Sequence, residues 1–282
     1  MGTLFLVATP IGNLEDVTLR ALNVLRTVSL VAAEDTRTAR KLLSHYDIHA
    51  RLLSYNEHNM RERTPRLMRA LETGDVALVS EAGMPGVSDP GYELTVAALA
   101  AGHEVSPIPG ASASVSAVAA SGLPSRQFTF VGFLPRRSVE RRRLFESLAG
   151  ERRTLVAFES PHRLRRALED IRAALGERRI AVCRELTKLH EEIFRGTLSE
   201  AIEHFTEPRG EFTLVVGGAP EAAAAATDDD LRVELRRLRT LGASARDAAA
   251  EVARKTGVPR RRVYALSLEI EGPIVEPGES VD

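Results

Sequence analysis

Three short segments set a carboxylate close to a cation: Glu34-Asp35-Thr36-Arg37, Glu159-Ser160-Pro161-His162-Arg163 and Arg184-Glu185-Leu186-Thr187-Lys188. Each follows an apolar run of strand type (30–33, 154–158 and 180–183), which places it at a strand end, where loops can meet across a cleft. Such a pair can position an alcohol, accept its proton or hold a phosphate. The plainer reading of Glu34 to Arg37 is a helix N-cap with a neighbouring salt bridge. Three further loops carry almost no cationic charge: Thr9-Pro10-Ile11-Gly12-Asn13, Glu81-Ala82-Gly83-Met84-Pro85-Gly86-Val87-Ser88-Asp89-Pro90-Gly91 and Pro109-Gly110-Ala111-Ser112. Gly and Pro allow tight turns and close approach of backbone to a ligand. With so little Lys or Arg, these loops suit a neutral or cationic ligand as readily as an anion, and phosphate cradling is disfavoured.

Several common sites are missing. The sequence has no G-x-x-x-x-G-K-[ST], no G-x-G-x-x-G, no C-x-x-C and no H-E-x-x-H, so nucleotide hydrolysis, the usual dinucleotide site and the commonest zinc sites lack support. His45 and His49 have i,i+4 spacing but no third ligand, which favours surface residues at a helix end. The single cysteine, Cys183, lies in an apolar run and reads as a core residue rather than a nucleophile.

The elements that must position these residues alternate. Apolar runs at 4–8, 30–33, 76–80 and 104–108 are each followed by a helical pattern, at 18–26, 38–43, 92–101 and 113–120. This is βαβα order and predicts a mainly parallel sheet. A second α/β series follows, with strands at 128–134, 154–158, 180–183 and 212–217 and helices at 141–148, 162–175 and 198–204. Residues 222–226 read as a linker, and Thr227-Asp228-Asp229-Asp230 as a helix cap. Helical patterns at 231–241 and 245–256, a Gly257-Val258-Pro259 turn and a basic helix at 260–268 resemble a helix-turn-helix module. The alternative is a packing or dimerisation appendage. The expected fold is α/β: domains at 1–123 and 124–220 with a cleft between them, a helical module at 228–270 and a disordered acidic tail at 271–282.

The 282 residues carry a net charge of −1, with 44% hydrophobic and 27% charged side chains, which fits a globular protein of more than one domain. No window approaches the ~18 consecutive apolar residues of a membrane helix. The first residues lack a basic leader, so a cytoplasmic location is expected. Charge is segregated: residues 126–195 sum to +7, 232–262 to +7 and 196–231 to −7. Segregated basic charge suits a partner with a phosphate backbone. Arg136, Arg137 and Arg163 in one block, and Arg260, Arg261 and Arg262 in the other, are the candidate RNA contacts.

Taken in order, Val7-Ala8-Thr9-Pro10-Ile11-Gly12-Asn13-Leu14-Glu15-Asp16-Val17-Thr18, Glu34-Asp35-Thr36-Arg37, Ser88-Asp89-Pro90-Gly91, Pro109-Gly110-Ala111-Ser112, Phe158-Glu159-Ser160-Pro161-His162-Arg163 and Arg184-Glu185-Leu186-Thr187-Lys188 resemble the RsmI branch of the tetrapyrrole methylase superfamily. The resemblance covers about residues 3–220, and the C-terminal helices resemble the module this branch carries there. It implies a small-subunit ribosomal RNA (cytidine-2′-O)-methyltransferase, a homodimer that uses S-adenosylmethionine; the two separated basic blocks, 126–195 and 232–262, point to an extended substrate such as the assembled subunit. By motif, the donor site would comprise Pro10, Ile11 and Gly12; Gly83, Met84, Pro85 and Val87; Ser112 and Ala113; and Phe158, Leu186 and Thr213. Glu185 is then the candidate base, Lys188 orients ribose or phosphate, and Asp35 with Arg37 shapes the acceptor pocket. The donor carries its own positive charge, so no metal is expected. Glu81 and Met84 depart from the Ser-Asp-Ala-Gly-Thr-Pro usual in this branch, which leaves backbone contacts from that loop intact and side-chain contacts open. Two rivals differ in kind. A tetrapyrrole or diphthine-type methyltransferase would carry Gly-x-Gly-x-Gly in the first loop, and a nucleic-acid-binding regulator would bind the small molecule without turnover.

Overall fold

The computed structural model describes residues 2–220, 227–256 and 258–270. The linker at 222–226, Gly257 and the tail at 271–282 lie outside them. By its contacts the chain divides into Met1–Ala219 and Pro220–Asp282. In the first unit, strands β1 (Thr3–Val7), β2 (Leu30–Ala33), β3 (Leu52–Ser54), β4 (Val76–Val79) and β5 (Glu104–Ile108) alternate with helices α1 (Leu19–Thr27), α2 (Thr36–His45), α3 (Met60–Thr73), α4 (Tyr92–Ala100) and α5 (Ala113–Ser121). The strands form a five-stranded sheet of order β3-β2-β4-β1-β5, and every pairing in it is parallel. Side chains alternate across it. Phe5, Val7, Val31, Ala33, Ala77 and Val79 pack toward α1 and α2, while Leu4, Leu30, Ala32, Val76 and Leu78 pack with residues of α3 and α4. Strand β4 is buried at all four positions, as expected for a parallel strand covered on both faces.

The second sheet contains β6 (Phe128–Phe133), β7 (Thr154–Glu159), β8 (Arg179–Arg184), β9 (Glu192–Thr197) and β10 (Phe212–Val216), in the order β6-β7-β10-β8-β9. Only β6 and β7 run parallel; the other three pairings are antiparallel. One face is covered by α6 (Ser138–Ser147), α7 (Pro161–Leu175) and α8 (Leu198–His204). The other face receives α5, whose Ala117 and Val118 pack on Val156, Ala181, Cys183 and Val215. Thus α5 follows the first series in the chain yet covers the second sheet, and the two sheets form one compact unit. Cys183 is buried, and burial pushes its thiol up to about 11. It fills the core.

Sequence patterning passes over three elements: β3, β9 and α3. β3 has only three residues, β9 (Glu192-Ile193-Phe194-Arg195-Gly196-Thr197) lies at a sheet edge and has neither an apolar run nor a regular alternation, and α3 opens on Met60-Arg61-Glu62-Arg63-Thr64-Pro65-Arg66. The second unit has α9 (Asp228–Thr240), α10 (Ala245–Thr256) and α11 (Arg260–Leu268) around Leu231, Leu235, Ala248, Ala249, Val252, Val263 and Leu266. Thr227 and Asp230 form a capping box at the start of α9. No described helix is long and apolar enough to cross a membrane.

Candidate active site at the edge of the first sheet

Because the strands are parallel, every loop leaving a strand end emerges at one edge of the sheet. The loops after β1 and β4 are stitched by an antiparallel bridge: Thr9 N–H donates to Gly83 O (2.9 Å) and Gly83 N–H to Thr9 O (3.1 Å). Gly83 takes φ +79°, and a Cβ there would stand 3.5 Å from Ile11 and 3.7 Å from the Ala111 carbonyl. All three Gly- and Pro-rich loops therefore converge on Gly83. The Ser80 hydroxyl donates to the Gly83 carbonyl (3.2 Å), and the Thr9 hydroxyl is buried without a partner among the described residues. Ile11, Gly83 and Pro85 are buried; Pro10 and Met84 are half-buried; Gly12 and Val87 are exposed. Ser112 caps α5 and Ala113 begins it, both half-buried.

The same edge gathers carboxyl groups. Glu81 N–H donates to the Glu34 carboxylate at 3.2 Å. Burial pushes the Asp89 carboxyl up to about 7, helped by the charges of Glu34 and Glu81 and opposed by the Ser80 hydroxyl. Burial also raises Glu34, against the hydrogen bond from Glu81. None of the three forms a salt bridge among the described residues. Asp35 is different. It caps α2 by accepting from Arg37 N–H (2.7 Å), and its carboxylate is held down to about 2 by hydrogen bonds from Arg37, whose side chain is largely exposed. That is the helix-cap arrangement set out above as the plainer reading.

The second sheet meets this edge at several points. Asn13 N–H donates to the Thr187 hydroxyl (3.1 Å), and a Cβ on Gly12 would lie 3.0 Å from that oxygen and 3.1 Å from the Leu186 carbonyl. Gly12 is thus a close approach that a larger residue would fill. The loop after β8 is wound tightly, with Glu185 and Thr187 both at positive φ (49° and 67°). Lys188 Nζ bridges Glu185 Oε1 and Glu211 Oε2, each at 2.9 Å. Partial burial opposes ionisation of Glu185, but Glu211 N–H and Lys188 outweigh it and hold the carboxyl below its usual range. Phe158, Thr213 and Cys183 stand side by side across β7, β10 and β8, on the face that α5 covers. Leu186 packs at the margin of the same cluster.

Residues 3–202 match the model of the Tetrapyrrole (Corrin/Porphyrin) Methylases, and residues 221–271 match the RsmI C-terminal HTH domain. A Synechocystis protein named ribosomal RNA small subunit methyltransferase I is 50% identical over 96% of this chain and 99% of its own length. A Thermotoga maritima protein of the same name is 52% identical over 77% of this chain and 99% of its own length. Among solved structures, a diphthine synthase superposes with a TM-score of 0.58 at 16% identity, covering 77% of this chain and 90% of that one. A uroporphyrin-III C-methyltransferase from Thermus thermophilus, complexed with S-adenyl homocysteine, gives 0.54 at 22% identity, covering 77% and 97%. The chain belongs to the tetrapyrrole methylase family. It is a methyltransferase, and the donor of this family is S-adenosylmethionine.

The loops of this tetrapyrrole methylase fit such a donor. They offer backbone groups around Gly83, a buried hydroxyl on Thr9 unpartnered among the described residues, and carboxyl groups suited to a cation, while Lys188, which packs against Gly12, is tied to Glu185 and Glu211. No group of His, Cys, Asp or Glu that could hold a metal occurs among the described residues. The sequence did not single out Asp89 as a chemical group, because its raised carboxyl arises from burial in the folded chain, with the charges of Glu34 and Glu81 adding to it. The basic candidates separate. Arg163 is tied to the buried Glu159 (2.5 Å) and to the Ser160 hydroxyl (3.0 Å), and Arg262 pairs with Asp228 (2.8 Å). Arg137 lies 3.5 Å from Glu140. Arg136, Arg260 and Arg261 are exposed and form no ion pair among the described residues. The structure therefore commits Arg163 and Arg262 to internal pairs, sets an exposed Arg137 beside Glu140, and leaves Arg136, Arg260 and Arg261 facing solvent without an ion pair among the described residues.

Proposed function

We propose that this protein methylates small-subunit ribosomal RNA, transferring a methyl group from S-adenosylmethionine to the 2′-oxygen of a cytidine ribose on the assembled subunit. The similarity to relatives named ribosomal RNA small subunit methyltransferase I, over nearly the full length of both chains, carries this reading. The three converging loops support the donor site, with Pro10, Ile11, Gly12, Gly83, Met84, Pro85, Val87, Ser112 and Ala113 on one side and Phe158, Leu186 and Thr213 on the other. When bound, the donor supplies an electrophilic methyl group on a sulfonium. The protein must hold an alcohol in line with it, and alignment of this kind supplies roughly 7–11 kcal/mol. Deprotonation adds a smaller factor.

Asp89 suits the role of proton acceptor better than Glu185. A base works best with a pKa near the working pH, and Asp89 stands at about 7 whereas Glu185 is held in its charged form by Lys188 and Glu211. Asp89 would take the proton of the ribose hydroxyl as that oxygen receives the methyl group a bound donor would supply, the donor sulfur leaving with the bonding pair. Glu185 and Lys188 pin the Thr187 loop against Gly12, with Lys188 facing the acceptor phosphate. A second copy of the chain would cover Tyr92, Val96 and Leu99, which expose one apolar stripe of α4 at helical spacing.

Mapping ribose methylation in small-subunit RNA from cells with and without the gene tests the reading. One cytidine 2′-O-methyl mark should disappear, and purified protein with labelled donor should restore it on isolated subunits. An unchanged methylation map together with no transfer to subunits defeats it. Val96→Glu should convert a dimer to a monomer in sedimentation; a wild-type monomer removes the dimer from the proposal.

A further inference from the structure

The loops and carboxyl groups described so far would hold a donor and a hydroxyl, but they leave open what fixes the base of the target nucleotide. Strand β6 pairs with β7 in register from Phe128 to Phe130, then slips, so that Phe133 stands opposite Phe158. The slip occurs at Gly132, which takes φ +71° and approaches the loop after β4: a Cβ there would lie 3.0 Å from the Ser88 hydroxyl oxygen. A bulge of this kind bends a strand and re-aims a side chain. Here it leaves Phe133 58% exposed while its ring rests edge-on against Phe158, centroids 5.3 Å apart. Phe130 holds Phe158 in the same way at 5.0 Å.

The backbone beyond Phe133 is fixed. Leu134 N–H donates to the Phe158 carbonyl (3.1 Å), its own carbonyl accepts from Arg163 (3.4 Å), and the Pro135 carbonyl accepts from the buried Arg141 (3.0 Å). The exposed cations Arg136 and Arg137 come next. An open aromatic ring on a rigid mount, with guanidiniums a few residues on and the Asp89 carboxyl one residue from Ser88, is the combination that holds an unstacked nucleotide: base on ring, phosphate on cation. Phe158 would form a wall common to this nucleotide and the donor.

We propose that Phe133 is the stacking platform for the nucleobase of the methylated nucleotide, set by the Gly132 bulge between the Ser88–Asp89 loop and the Arg136–Arg137 cations. The proposal rests on the reading that the substrate is RNA.

Steady-state methyl transfer to unmodified small subunits tests it in Phe133→Ala, Phe133→Leu and Phe133→Trp. Loss of one stacked base should lower kcat/KM about tenfold to a hundredfold in the Ala and Leu variants, with donor affinity and sedimentation unchanged. Leucine keeps apolar volume without an aromatic face, so a variant that folds but stays slow separates stacking from packing. The Trp variant, which keeps an aromatic face, should be faster than the Ala and Leu variants. Because the chain has no tryptophan, its emission reports position 133 alone, and single-stranded oligocytidine should quench it. Wild-type activity in either the Ala or the Leu variant overturns the platform. So does a loss of donor affinity matching the loss of turnover, or dissociation of a dimer. If the wild-type protein methylates no small-subunit RNA, the functional reading itself fails, an outcome distinct from an active enzyme indifferent to Phe133.

Discussion

Charge is handled in opposite ways at the edge of the first sheet and in the three-helix unit. At the edge, Glu34, Glu81 and Asp89 crowd together without a salt bridge among the described residues, and burial pushes Asp89 up to about 7. In the helical unit five of the seven described carboxylates find a cation: Arg232 pairs with Asp229 and Glu269, Arg237 and Lys255 with Glu234, Arg254 with Glu251, and Arg262 with Asp228, while Asp230 and Asp247 accept from Thr227 and Ser244. Unpaired carboxyls kept close are costly, and such strain concentrates where chemistry is done. Exposed pairs on helices are worth a few tenths of a kcal/mol each and serve the fold. The sum of charge over a stretch of sequence therefore says little about function, since it counts paired and unpaired groups alike.

The most severe way to break the contrast is to put a cation into the acidic edge. Gly83→Arg would fill the space the three loops leave and force a long side chain onto a residue at φ +79°. Donor binding by calorimetry should vanish in a folded variant. Retained affinity would move the donor away from the second loop.

Asp89→Asn removes the titrating group and keeps its shape. Turnover should fall by about 10²–10⁴-fold with donor affinity retained. Wild-type kcat should rise with pH through about 7 and level off, since the base must lose its proton to act, and the variant should lose that dependence. Stability should move the other way. The folded pKa of Asp89 lies above its unfolded value, so the fold favours the protonated form, and its contribution falls as pH rises toward about 7. Above that pH the variant, free of a half-buried charge, should melt at a higher temperature than the wild type. A variant both inactive and less stable at pH 8 would mark Asp89 as structural.

Much of this architecture is legible in the sequence, and the parts that are not share a cause. Apolar runs such as Leu30-Val31-Ala32-Ala33 announce buried strands, and Gly- and Pro-rich segments after them announce loops at one edge. The short β3, the edge strand β9 and the charge-rich α3 carry no such pattern, because their stability comes from neighbours rather than from their own periodicity. Site chemistry is less legible still. The state of Asp89 depends on its burial and then on the charges of Glu34 and Glu81, and the exposure of Phe133 on a register slip at Gly132. Arg163 and Arg262 count as basic charge in the sequence but are bound to Glu159 and Asp228.

Lys188 is the intermediate case, a paired cation inside the site. Lys188→Ala frees Glu185 and Glu211 and loosens the Thr187 loop on Gly12. Removing charge-assisted bonds in a partly buried place should reduce kcat/KM for subunits about tenfold, and Glu185→Gln should do the same with less effect on donor affinity than on turnover. Equal losses in both would place the pair in the donor pocket.

The smallest effect belongs to the helical unit, where the contrast is sharpest between neighbours. Arg260 and Arg261 at the start of α11 form no ion pair among the described residues, whereas Arg262 is paired with Asp228. If the unit holds RNA through phosphates, Arg260→Ala and Arg261→Ala should each flatten the slope of log affinity for subunits against log salt by about 0.7–0.9, with a few-fold loss of affinity at moderate salt. Arg262→Ala should leave the slope unchanged and lower the melting temperature slightly, because it breaks an exposed pair between α9 and α11. Donor affinity should be the same in all three. The unit should tune binding to the subunit rather than supply the reaction, since the loops and carboxyl groups assigned to the donor and the proton lie in Met1–Ala219. Equal salt slopes in the three variants would show that free and paired arginines here are equivalent, and that RNA is held by Met1–Ala219 alone.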